Sequence, residues 1–121
     1  MTQERLKRYR LGLWAESLAA FYLRGKGYRI MARRFKSPLG EIDLIARRGN
    51  VLAFIEVKLR ADHDAAALSV TPRTKQRIER AARLYLSRHQ AEAGRDHRFD
   101  VITVRLPFSV RHIDNAWRPD A

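Results

Sequence analysis

The sequence predicts an α/β domain: a mixed β-sheet flanked by helices, in the order α-β-β-β-α-β. Three observations predict the α/β class. Apolar residues recur at three- and four-residue spacing near the N-terminus and again after Pro72. Between those stretches, GEIDLIARRGNVLAFIEVKLR (residues 40–60) alternates like two strands around a tight turn. After the second helical stretch, RFDVITVRL returns to strand patterning, and the long link back to it suits a parallel crossover.

Residues 4 to about 25 read as a helix on Leu11, Trp14, Ala15, Leu18 and Tyr22, closed by Gly25 and Gly27. YRIMARRFK (28–36) resembles a strand, and Ser37-Pro38-Leu39-Gly40 is turn chemistry. Gly49-Asn50 suits a two-residue hairpin loop of the primed type. ADHDAAALSVT (61–71) lacks periodicity and reads as a loop. Thr71-Pro72 then starts a helix, Thr as cap and Pro in the first turn, running to about residue 92 on Ile78, Ala81, Ala82 and Tyr85. Residues 98–106 form a strand and 109–114 a short last one. The whole of residues 1–121 reads as one domain, with its core between about 5 and 117.

Composition narrows the function. The chain is 45% hydrophobic and 31% charged, a globular balance, and no apolar run approaches the ~20 residues of a membrane span. Glu16 interrupts the N-terminal apolar stretch and no small-residue cleavage site follows, unlike a secretory leader. The absence of cysteine removes disulfides and thiolate chemistry and fits the cytoplasm. Lys plus Arg number 25 against 13 Asp plus Glu, a net charge of +12. Such a surface favours a polyanion, nucleic acid first, over a merely solvated face.

A two-residue loop at Gly49-Asn50 makes facing residues sum to 99. Asp43 then lies opposite Glu56, and Glu41 opposite Lys58. Alternation puts Glu41, Asp43, Phe54, Glu56 and Lys58 on one face, leaving Ile42, Leu44, Val51, Ala53, Ile55, Val57 and Leu59 on the other, the expected buried side. Directly opposed like charges, their Cβ atoms roughly 5 Å apart, destabilise a sheet. A divalent cation such as Mg²⁺ or Mn²⁺ would compensate, with Lys58 standing beside it. The structural alternative is a Glu41–Lys58 surface pair with the acids at solvated edges. Glu16 has Gly12, Leu13, Ala19 and Ala20 as helical neighbours, so its carboxylate either enters a polar site or sits at the edge of the stripe.

The pattern AExLAxxYL…KGYRI…GEIDLIA…FIEVKLR…TPRTKQRI…RFDVITV, from about Gly12 to Trp117, resembles the YraN family of bacterial predicted endonucleases. These are small members of the restriction-endonuclease-like PD-(D/E)xK superfamily, similar to archaeal Holliday junction resolvases, and the resemblance implies a single-domain restriction-endonuclease-like fold. The resemblance implies metal-dependent cleavage of DNA, branched or junction DNA included, and a twofold dimer. It marks Asp43 and Glu56 as metal-binding acids, Lys58 as the catalytic lysine, Glu16 as the acid from the first helix and Gln76 as a polar residue near the site. Ile42 replaces the superfamily's proline, the loop at 61–71 lacks a glycine frequent in relatives, and Arg34 stands where they often have asparagine.

Phosphate contacts are expected from Arg73, Lys75, Arg77, Arg80 and Arg83 on the second helix and from Arg33, Arg34, Arg47 and Arg48 flanking the hairpin. Engagement of ~5 of them would give a log–log salt slope of about −4 to −5. The competing readings are a non-catalytic nucleic-acid-binding module on the same fold, and an interaction protein whose acids satisfy a polar cluster. Asp62-His63-Asp64 reads as solvated loop, Trp14 and Trp117 as core or rim, and His89, His97 and His112 lack metal-ligand spacing.

Overall fold

A computed structural model describes residues 2–119. Its elements are α1 (Gln3–Gly25), β1 (Arg29–Ser37), β2 (Gly40–Arg48), β3 (Val51–Leu59), α2 (His63–Leu68), α3 (Pro72–Arg88), a 3-10 turn (Gln90–Glu92), β4 (Asp96–Arg105) and β5 (Ser109–Trp117). The five strands form one sheet in the order β1-β2-β3-β4-β5. The β3–β4 pair is parallel, as the crossover length predicts, and the other pairs are antiparallel. Among the described residues, no helix is long and apolar enough to cross a membrane.

Side-chain caps start all three α-helices: Thr2 accepts from the Arg5 N–H, Asp62 from Ala65 and Thr71 from Thr74. The stretch expected as loop thus contains α2. Its Ala-rich turn and a half gives too little contrast for periodicity to register. The last strand reaches Trp117 rather than residue 114, and α3 stops at Arg88, handing over to the 3-10 turn.

Helices cover both faces of the sheet, which corrects the expectation of one buried side. On one face Ala15, Ala19, Ala20 and Leu23 of α1 pack on Leu44, Ala46, Ala53, Ile55, Ile102 and Val104. On the other, Ile78, Ala81, Ala82 and Tyr85 of α3 pack on Ile45, Leu52, Phe54 and Phe99. Phe54, on the face expected to carry the acids, is therefore fully buried. Small residues let α1 lie close to the sheet, while Trp14 stays at the surface.

Ile42 is a second departure from simple alternation. Leu44 packs under α1, yet Ile42 and its partner Phe35 pack under α3. The change of side falls between the pairs Arg33↔Leu44 and Phe35↔Ile42, where Arg34 adopts a left-handed φ of 55°. A positive φ inside a strand rotates the chain, so Arg33 and Arg34 both reach toward α1: Arg33 donates to Ser17 Oγ at 2.9 Å and Arg34 lies against Tyr9 and Glu16.

Candidate active site

The β2–β3 hairpin keeps the predicted register, with facing residues summing to 99 from Arg48↔Val51 to Leu44↔Ile55. The ladder then stops. β2 continues alone with β1, where Glu41 pairs with Lys36, and β3 continues with β4, where Glu56 pairs with Val101 and Lys58 with Thr103. Glu41 and Lys58 are thus not the cross-strand pair that the sum rule would make them. The strands part, and Asp43 occupies the fork: its Oδ2 accepts the Val57 N–H at 2.7 Å. That bond replaces a ladder interaction and ties the Asp43 carboxylate beside Glu56.

The fork opens into a cleft of about 350 Å³, lined by Glu16 from α1, Asp43 from β2, Glu56 and Lys58 from β3, and Thr74 and Arg77 from α3. Glu41 also lines it. Four of the five sequence-expected catalytic residues therefore share one cavity. Gly40 sets the distance to α3: a Cβ there would lie 2.3 Å from the Arg77 carbonyl oxygen, so only glycine lets the first turns of α3 come this close.

The acids are poorly compensated. Burial, then the hydrogen bond and charge of Asp43, push the Glu56 carboxyl up to about 9, against a smaller opposing pull from Lys58. Lys58 Nζ stands 3.9 Å from Glu56 Oε2, a loose contact. Burial and the nearby Asp43 also raise Glu16, and its Oε1 is buried without a hydrogen-bond partner. The nearest cation to that atom is Arg34 Nε, at 3.6 Å.

An all-oxygen donor set of two neighbouring carboxyls, one of them pushed toward its protonated form, and a third carboxylate oxygen lacking a donor fits a hard divalent cation. Among the described residues no three acidic, His or Cys side chains form a ready-made cage. Asp43 and Glu56 would be the ligands, with Glu16 reaching the ion directly or through water.

The remaining expected residues divide. Gln76 is exposed and lines a separate depression with Pro72, Lys75, Glu79 and Trp117, so the structure does not bring it to the cleft. Half-buried Thr74 and exposed Arg77 line the cleft in its place. Arg73, Arg80 and Arg83 are exposed along α3. Lys75 Nζ lies 5.7 Å from the Trp117 ring centre. Arg47 and Arg48 are at the turn end of the hairpin, away from the fork: Arg47 pairs with Glu92 at 3.8 Å, and Arg48 lies over Tyr28 at 4.5 Å while donating to the Lys26 carbonyl. Both are engaged in the fold. Arg33 and Arg34 contact α1 beside the cleft.

His63 joins no metal cluster; its ring bridges Thr103 Oγ1 and Ser109 Oγ at 2.6 and 2.7 Å. Sequence reasoning passed over Asp100, wholly buried on β4 in a strand that reads as apolar. Its flanking Arg98 is the one local signal that a charged pair is present.

The fold and the fork define a mixed α/β domain that holds a carboxylate cluster and a lysine where two central strands separate. The chain belongs to the family described as "Uncharacterised protein family UPF0102", whose profile matches residues 15–104. It is 53% identical to a UPF0102 protein of Parvibaculum lavamentivorans over 114 residues, 94% of this chain and 86% of that one. It is also 51% identical over 114 residues to one from Rhodopseudomonas palustris strain BisB18, covering 94% and 84% of the two chains. A Bradyrhizobium diazoefficiens UPF0102 protein is 49% identical over 110 residues, covering 91% and 83%.

Proposed function

We propose that the cleft hydrolyses phosphodiester bonds in DNA with the help of a divalent metal ion. The observation that carries this reading is the fork itself, where two acids, a lysine and an arginine line one cavity of a strongly basic chain. Mg²⁺ or Mn²⁺, when bound, would supply Lewis-acid activation of the phosphate and a more acidic water. Asp43 and Glu56 would hold that ion, Glu56 giving up its proton on binding. Lys58 would donate to a phosphate oxygen or orient the attacking water, where negative charge gathers in the transition state. Arg77, from the turn of α3 that Gly40 admits, would neutralise a neighbouring phosphate and fix the strand's position. No side-chain nucleophile is required.

The test is purified protein with Mg²⁺ or Mn²⁺ on linear, flapped and four-way DNA and on RNA, beside Asp43→Ala and Lys58→Ala. Each substitution is expected to lower the cleavage rate about 100-fold or more, the usual scale for losing a transition-state contact. Cleavage surviving both substitutions overturns the assignment. Metal-independent binding with no cleavage on any substrate would leave the non-catalytic binding module instead.

A further inference from the structure

We propose that α1 and the β4–β5 hairpin tip form a stacking site for unpaired nucleotides, so that single-stranded segments, rather than continuous duplex, are the favoured ligand of that face. The substrate role of this site rests on the nuclease reading above; the binding does not.

Trp14 and Phe108 come from elements 94 residues apart in the chain (108 − 14), yet their rings meet at 5.9 Å between centres, tilted by 52°. Phe108 is 73% exposed and Trp14 38%, so the pair shows ring surface to solvent. Leu106 at the same hairpin tip is exposed as well. Exposed rings that touch each other but lack a protein cover mark an interaction surface. Beside Trp14 lies a depression of about 550 Å³, with Leu6 and Leu11 supplying apolar surface and Lys7 and Arg10 two cations.

Chemistry selects the occupant. Residues 3–13 carry four cations, Arg5, Lys7, Arg8 and Arg10, against one acid, Glu4. A second copy of this chain, itself at +12, would set like charge against like across a twofold axis. An apolar peptide would leave the cations unused. A single strand uses both: bases stack on ring faces, and phosphates meet Lys and Arg. Continuous duplex hides its base faces and uses the cations alone.

This surface and the fork lie on different sides of one stretch of helix. Gly12, Ala15 and Glu16 line the cleft, and Trp14 is within one helical turn of all three but about 100° from Ala15 and about 160° from Gly12 and Glu16 around α1. A strand held on the rings would pass around α1 to reach the acids.

Fluorescence anisotropy in EDTA with a labelled 15-nucleotide oligo-dT and a 15-base-pair duplex tests the site. The proteins are wild type, Trp14→Ala/Phe108→Ala, Lys7→Gln/Arg10→Gln and Lys58→Ala, with thermal melts to confirm folding. The aromatic double variant is expected to bind oligo-dT about tenfold more weakly, within the range measured for lost stacking, and duplex less than twofold more weakly. The cation variant should weaken both ligands.

Oligo-dT binding unchanged by the aromatic substitutions overturns the proposal. So does a shift from dimer to monomer in sedimentation with oligo-dT affinity intact, which would assign the surface to a second copy. Cleavage by wild type and Lys58→Ala separates the two readings, because it tests the cleft while the ring variant's anisotropy tests the stacking site. Cleavage that depends on Lys58, with oligo-dT binding indifferent to the rings, would reject the stacking site alone.

Discussion

Asp100 and Glu56 are acids one register step apart on neighbouring parallel strands, since Asp100 pairs with Ile55 and Val101 with Glu56. Their surroundings drive them in opposite directions. Burial of Asp100 is outweighed by four donors: His112 Nε2 at 2.8 Å, Arg98 Nε and Nη2 both at 2.8 Å, and the Asn115 N–H at 2.9 Å. Its carboxyl consequently stays below the usual carboxylate range. The β5 chain bulges around it, with Asn115 at a φ of 49°, an arrangement that serves to deliver that last N–H. Glu56 has another acid, a lysine at 3.9 Å and burial, and is pushed up to about 9. A carboxylate whose donors are all built in is part of the fold. One left under-compensated in a cleft is poised for something that arrives from outside.

The largest effect should come from breaking the satisfied cluster. Asp100→Ala removes the acceptor for a part-buried Arg98 and should cost about 3–5 kcal/mol in urea unfolding, the scale for stripping one partner from a buried charged pair. Asp100→Asn should cost less, because it keeps two of the acceptor contacts. At pH 5 and without metal, Glu56→Gln should stay within about 1 kcal/mol of wild type, since it retains a neutral hydrogen-bonding group at a position that favours the protonated acid. If Glu56→Gln proves the more damaging, the division into structural and functional acids collapses.

The next effect is the pH slope. Glu56 is raised in the folded state from an ordinary 4.5 to about 9, so across that window the folded chain binds a proton that the unfolded chain has released. Its stabilising share is complete below 4.5 and is lost as pH rises toward about 9, at no more than about 1.4 kcal/mol per unit. Asp100 has the opposite sign: its share is present at neutral pH and lost only as pH falls through its depressed value. Melting of wild type minus Glu56→Gln between pH 5 and 8 in EDTA isolates the first. Wild type should lose stability relative to Glu56→Gln as pH rises, and saturating Mg²⁺ should stabilise wild type more at pH 8 than at pH 5, because ion and proton compete. A flat difference curve would mean that Glu56 is not held protonated.

Much of this contrast was legible before the structure. Hairpin register follows from loop length, and Gly49-Asn50 set the pairing correctly down to Leu44↔Ile55. The expected Asp43–Glu56 pair falls one step past the end of the ladder, so the two acids meet at the fork and not as paired residues. Although the caps at Thr2 and Asp62 were not read, the Thr71 cap follows from equally local chemistry and the parallel crossover from the length of the link. The parting of β2 from β3 did not, because it depends on each strand having a better partner on its outer side, a property of the whole sheet. The same holds for Arg47 and Arg48: charge alone could not show that Glu92 and Tyr28, distant in sequence, would occupy them. Gln76 and Arg77 differ by one residue, or about 100° around α3, finer than a motif match resolves. Asp100 was hidden because its partners come from three places, β4 itself, His112 and the bulge at Asn115.

The smallest effect concerns Arg34, where backbone and site are coupled. Its φ of 55° is one that side-chain-bearing residues adopt at a cost, and its guanidinium rests against Tyr9 while its Nε stands 3.6 Å from the unpartnered Glu16 Oε1. Two substitutions separate these roles. Arg34→Ala and Arg34→Gly both delete the guanidinium, so both leave Glu16 without its nearby cation, and they differ mainly in tolerance of the left-handed backbone. Glycine should therefore be the more stable of the two by about 1 kcal/mol in denaturant unfolding, despite its usual disadvantage within a strand. Any loss they share relative to wild type reports the Tyr9 and Glu16 contacts, and Mg²⁺ should offset part of that shared loss by supplying Glu16 with a cation. Should alanine equal or exceed glycine, the turn at Arg34 is not held in the left-handed region, and the change of side between Leu44 and Ile42 must arise from the twist of the sheet instead.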